Sequence, residues 1–82
     1  MTGLETGARI EATYMGAAFV GTVTHTRAHT INRQIQLTFV DNDDTFTVPG
    51  IRTIQAHEGL MLSTNWDGSE RDGNSLRVVG AS

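Results

Sequence analysis

The stretch RQIQLTFVDNDDTFTVPG, residues 33–50, decides the fold. Its first eight residues alternate apolar and polar, which is the period of a strand with one face buried and not of a helix. That alternation predicts Ile35, Leu37 and Phe39 inward and Gln34, Gln36 and Thr38 outward. Asp41–Asp44 then reads as a turn, because short polar side chains hydrogen-bond their own backbone there. Residues 45–48 read as a second short strand, with Phe46 and Val48 inward. Pro49-Gly50 ends it, since proline has no N–H to give a ladder.

Working outward, the same pattern recurs and no window carries a helical period. Residues 8–15 place Ile10, Ala12 and Tyr14 on one face, with Arg9, Glu11 and Thr13 on the other. Gly16 supplies a turn. Residues 18–26 put Phe19, Gly21 and Val23 on one face against Thr22, Thr24 and Thr26. The segment 50–59 is expected to form a single helical or 3₁₀ turn. Residues 60–66 and 75–80 are expected to form a final hairpin, whose flexible tip is 67–75 with its two Asp-Gly steps. The ends, 1–6 and 81–82, are expected to fray. Five to six short antiparallel strands with turns every eight to twelve residues predict an all-β fold, a single domain over 1–82 in the form of a small barrel. Closure into a barrel also removes the open edges that invite aggregation.

Composition narrows function. The chain has 82 residues, no cysteine and a formal charge of −3. Its core is therefore small and no disulfide supplements it. Thiolate zinc sites and thiol nucleophiles are excluded. No apolar run is long enough to span a bilayer and no leader is visible, so a cytoplasmic protein without membrane contact is expected. All six cations are arginines, each a planar fork suited to carboxylate or phosphate. The acidic balance argues against general nucleic-acid coating but leaves room for one local basic patch.

That patch is HTRAHTINR, residues 25–33. It holds His25, Arg27, His29 and Arg33 without an acid. Val23, His25, Arg27 and His29 share a parity, and Val23 belongs to the core. The strand must therefore bend or leave the barrel near Thr24–Thr26 for the cations to be solvated. Tyr14 and Trp66 are the aromatic neighbours expected beside them. Trp66 reads either as a lid on the core or as an exposed anchor of an interface.

Other constellations carry less. His25 and His29 on a strand stand roughly 13 Å apart, too far for one metal ion, and with His57 they read as ordinary histidines. Residues 41–46 fail the EF-hand pattern, because Thr45 and Phe46 occupy its fifth and sixth positions. Ser63, Ser69 and Ser75 lie in no nucleophile elbow, and no phosphate-binding glycine loop is present. The expectation is a non-catalytic module without metal or cofactor.

The run Gly7, Ile10, Ala12 and Tyr14, followed by Phe19, Gly21 and Val23, resembles the opening two strands of Tudor-type, SH3-like barrels. Leu37, Phe39 and Asp41, then Phe46, Val48 and Ile51, resemble their third and fourth strands and the turn that follows. The resemblance covers residues 7–54 and implies a barrel whose connection between the second and third strands faces a ligand. Tudor-type domains hold a methylated cation in an aromatic cage. Here Tyr14 and Phe19 stand at cage positions, but Ala18, Asn42 and Asp43 replace the other expected residues, so the cage is incomplete. Two functions remain: contact with nucleic-acid phosphate or an acidic surface through 25–33, and a protein-interaction module or small inhibitory protein. A homodimer through the edge strand 60–66 is a variant of the second.

Overall fold

The structure, a computed structural model, describes residues 1–29 and 35–80, with side chains at 28, 29 and 35 left aside. Seven strands follow in order: β1 (Arg9–Tyr14), β2 (Ala17–His29), β3 (Ile35–Asn42), β4 (Phe46–Val48), β5 (Arg52–Ile54), β6 (Leu60–Asn65) and β7 (Ser75–Gly80). The described residues include no helix, so the fold is all-β as the alternation predicts. Five strands form one antiparallel sheet in the order β6-β3-β2-β1-β7, and β4 and β5 form a separate small hairpin. The large sheet curls into a half-barrel. Near its two edges, the Asn74 side-chain amide donates to the Ser63 carbonyl at 3.3 Å, and Leu76 N–H donates to the Gly68 carbonyl at 3.0 Å.

The first two strands fall as read. Ile10 and Ala12 of β1 face Phe19, Gly21 and Val23 of β2 across a register of Ala12↔Phe19 and Ile10↔Gly21. All of these are buried, together with Val40, Val48, Ile54, Leu62 and Leu76. Phe19 stacks on Phe46 with ring centroids 4.7 Å apart, which lays the small hairpin against the sheet.

The deciding stretch is a strand, but its faces are reversed. Thr38, Val40 and Asn42 are buried, whereas Phe39 is 37% exposed and Leu37 half-buried. Pairing with β2 sets this, because Val23 lies opposite Val40 and residues opposite in a ladder share a face. Gly21 lets the strands close up at Asn42, where a Cβ would come within 2.7 Å of the Asp41 carbonyl. Asn42 itself belongs inside because it holds the following loop. Its amide donates to the carbonyls of Asp44 (3.0 Å) and Gln55 (2.7 Å), and its oxygen accepts from Gly59 N–H (3.2 Å).

Three further expectations need correction. Residues 50–59 hold no helical turn. Pro49-Gly50 sits in a tight turn closed by Ile51 N–H to the Val48 carbonyl (3.0 Å), so the chain folds straight back as β5. Residues 60–66 and 75–80 are not a hairpin. β6 pairs with β3 and β7 with β1, at opposite edges of the sheet. The fourth strand of the sheet is accordingly β6, while residues 46–48 belong to the small hairpin.

Leu4 packs on the core, and Gly7 N–H donates to the Val23 carbonyl at 2.8 Å. In the loop 67–74, Asp67 accepts from both the N–H and the hydroxyl of Ser69, and Glu70 accepts from Gly73 N–H. Residues 81–82 lie outside the described residues.

Candidate binding face on β2, β3 and β6

The ladder between β2 and β3 contains one irregularity. Val23 pairs with Val40, but the next pair is His25 with Phe39, so Thr24 is an extra residue. Such a β-bulge bends its strand and shifts the alternation by one. Its hydroxyl ties the bulge back to the Phe39 carbonyl at 3.2 Å. Before the bulge Val23 points into the core. After it Thr26 pairs with buried Thr38, while His25 and Arg27 turn to solvent. The bend falls where the parity of residues 23–29 required one.

Beyond the bulge, His25, Phe39 and Met61 form one cross-strand row, and Arg27, Leu37 and Ser63 the next. The His25 and Phe39 rings lie 5.5 Å apart, tilted by 43°. Met61 is 55% exposed. The outer face of β2, β3 and β6 thus presents an aromatic, a thioether and a guanidinium side by side. Sequence reading placed Phe39 inside and left Met61 unremarked. No local signal placed them there, because the parity of β3 is set by the pairing of Val23 with Val40.

Away from this face three arginines are paired. Arg9 makes a bidentate ion pair with Asp43, Arg52 another with Glu58, and Arg77 meets Glu11 at 2.9 Å. The Asp43 carboxyl is held below its usual range by the hydrogen bond from Arg9, and Glu58 likewise by Arg52 and then by the Gln55 backbone. Among the described residues Arg27 has no such partner. Towards the start of β6 the sign reverses, with Asp41 3.3 Å from His57 Nδ1. A shallow cleft of about 550 Å³ there is lined by Thr24, Phe39, Asp41, His57 and Met61.

Of the expected site residues, His25 and Arg27 share this face. His29 closes β2 opposite Ile35, but its side chain lies outside the described residues, as does Arg33. Trp66 follows Asn65, the residue paired with Ile35, and is 58% exposed; it is no core lid. Tyr14 is not a neighbour. It pairs with Ala17 at the opposite end of β2 and packs against the core. With Phe19 buried against Phe46, the two aromatics form no cage.

A second cleft of about 710 Å³ is lined by Thr13, Ala18, Val20, Phe46 and the Glu11–Arg77 pair. Among the described residues no three His, Cys, Asp or Glu side chains converge as metal ligands. No described helix is long and apolar enough to cross a membrane. No family model matches the chain, and neither a curated protein nor a solved structure does.

Proposed function

We propose that the chain is a non-catalytic binding module of the SH3-like, Tudor-like kind that engages a protein partner through the outer face of β2, β3 and β6. The strand order supports the barrel reading, since a meander of four strands is completed by a last strand returning to the first. The observation that carries the function is the Thr24 bulge. It sets Arg27, without an acidic partner among the described residues, beside exposed Phe39 and Met61. Aromatic residues, methionine and arginine are the side chains enriched where proteins meet, and a contiguous exposed apolar patch marks such a surface.

Nucleic-acid contact is the second reading, favoured by the same unpaired arginine next to an aromatic ring on which a base could stack. A net charge of −3 and the acid Asp41 nearby weigh against it. Peptides selected from a random displayed library, followed by amide chemical-shift mapping, test the first reading. Shifts centred on His25, Arg27, Phe39 and Met61, lost in Arg27→Ala and Phe39→Ala, support it. Shifts confined to the cleft between Thr13 and Phe46 would refute it. Short oligonucleotides that shift the same amides, with the effect fading as salt rises, would select the second reading instead.

A further inference from the structure

We propose that a second copy of this chain pairs with the first along the free edge of β6, antiparallel, about a two-fold axis at Met61. β6 is a terminal strand of the large sheet, so one side of its backbone has no strand beside it. The Ser63 carbonyl accepts from the Asn74 side chain and Asn65 N–H donates to the Ser69 carbonyl. Residues 63 and 65 therefore turn their polar groups away from β3, and Met61, two residues earlier, turns the same way. Neither the N–H nor the carbonyl of Met61 has a partner among the described residues. Asn74 and Ser69 cover the far half of this edge, which leaves Met61 as the open position.

A two-fold axis suits that geometry. One residue with both groups free pairs with its own copy, exchanging two N–H···O=C bonds, and an isologous contact of this kind closes on itself. Around Met61 the strand's own side chains offer no obstacle. The strand reads Leu-Met-Leu-Ser-Thr-Asn, without a charge or a proline, the two devices that usually blunt an edge. The opposite edge differs, because β7 carries Arg77 and the Gly68 carbonyl caps its Leu76 N–H. Glu58, the acid just before β6, is neutralised by Arg52.

The side chains add to the backbone. Pairing at Met61 would join the row His25–Phe39–Met61 to the same row of the second copy, bringing the two exposed thioethers into contact and making one apolar band across six strands. Edge pairing this short buries well under the roughly 1,200 Å² of a stable specific interface, so association belongs at high concentration. This inference does not depend on the function proposed above, since the edge is used whether or not the face binds another protein.

Sedimentation equilibrium of the full chain from micromolar to millimolar concentration tests it, with amide solvent protection read in parallel. The average mass should rise from 8.9 kDa towards twice that value, and protection at Met61 should rise with it. Met61→Lys puts two like charges on the axis and should weaken association at least ~tenfold. Val79→Lys, on the exposed face of β7, should leave it unchanged, as should Arg27→Ala. Circular dichroism checks that each variant folds. Should Met61→Lys not fold, Met61→Pro removes the open N–H while Leu60 and Leu62 keep the β3 ladder, and should act in its place. A chain that stays monomeric at millimolar concentration, or variants on β6 and β7 that weaken association equally, would overturn the proposal.

Discussion

Asn42→Ala tests what holds the inner half of the molecule together. The side chain is fully buried and makes three hydrogen bonds to backbone groups of the loop joining β3 to β6, at Asp44, Gln55 and Gly59. Truncation removes all three and leaves the Asp44 carbonyl and the Gly59 N–H without a partner among the described residues, while the Gln55 carbonyl keeps the Glu58 N–H. Asp44, Gln55 and Gly59 lie on exposed positions, so water reaches part of what is lost. A cost of about 1 kcal/mol per bond is then appropriate, or about 3 kcal/mol in total. The whole domain is worth about 4–12 kcal/mol at this length. In a domain this small each kcal/mol moves the midpoint about 4–8 °C, so Tm should fall by about 12–24 °C. Thermal melts followed by circular dichroism measure this directly. Asn42→Asp supplies the internal control: its carboxylate keeps the acceptor for Gly59 but faces two carbonyls. It should be as unstable as Asn42→Ala at neutral pH and recover in acid, where a protonated carboxyl can donate. A Tm loss below about 4 °C for Asn42→Ala would refute the idea that this residue organises the loop.

Three other outcomes follow from the same geometry. Thr38 is fully buried and its hydroxyl has no partner among the described residues, so Thr38→Val, of nearly equal shape, should stabilise by about 1 kcal/mol, read as a higher urea midpoint. Asp43 and Glu58 are held below their ordinary values of 3.8 and 4.5 chiefly by hydrogen bonds from Arg9 and Arg52. A depressed carboxylate contributes stability above its ordinary value and loses it as pH falls through the folded one, so the urea midpoint should stay level down to that range and then drop, less steeply in Asp43→Asn. Deleting Thr24 should leave a cooperative melt, because His25, Thr26 and Arg27 then follow Val23 in plain alternation and keep Phe39, Thr38 and Leu37 as partners; loss of the cooperative melt would show that the fold needs the bend of the bulge and not only the pairing it permits.

Legibility in the sequence followed the range of the interactions. β1 and β2 are neighbours joined by Gly16, and their inward rows, Ile10 and Ala12 against Phe19, Gly21 and Val23, stand in the alternation itself. β3 contains two competing rows. Ile35, Leu37 and Phe39 form the more apolar one, yet Thr38, Val40 and Asn42 face inward. The decision rests on Val23↔Val40 pairing and on the three backbone groups that Asn42 satisfies, none of them visible in a local window. The final hairpin failed for a related reason. β6 and β7 look like sequential partners, but each completes an antiparallel pair with an earlier strand, and such long-range closure overrides proximity in sequence. For the site, the clash between Val23 in the core and Arg27 in solvent announced a bend, and the bulge supplies it. That Phe39 and Met61 would stand beside Arg27 depended on the parity of β3 and on the β3–β6 pairing, so the apolar part of the face was hidden until both were known.

The bulge joins fold and surface in one feature. The first half of β2, up to Val23, contributes Phe19 and Val23 to the core beside β1, and the second half pairs with β3 alone. One extra residue between them bends the strand, which lets the sheet curl, and the same residue reverses the faces of everything after it. The exposed row is therefore built by the element that shapes the barrel. It also has a thermodynamic cost, because burying the remainder of a half-exposed side chain such as Met61 would contribute about 1 kcal/mol. In a chain whose core is small, leaving Met61 and Trp66 more than half exposed gives up stability, while Phe39 recovers part of its share against the His25 ring. The binding face proposed above uses this exposed row, which the neutralised arginines elsewhere do not offer.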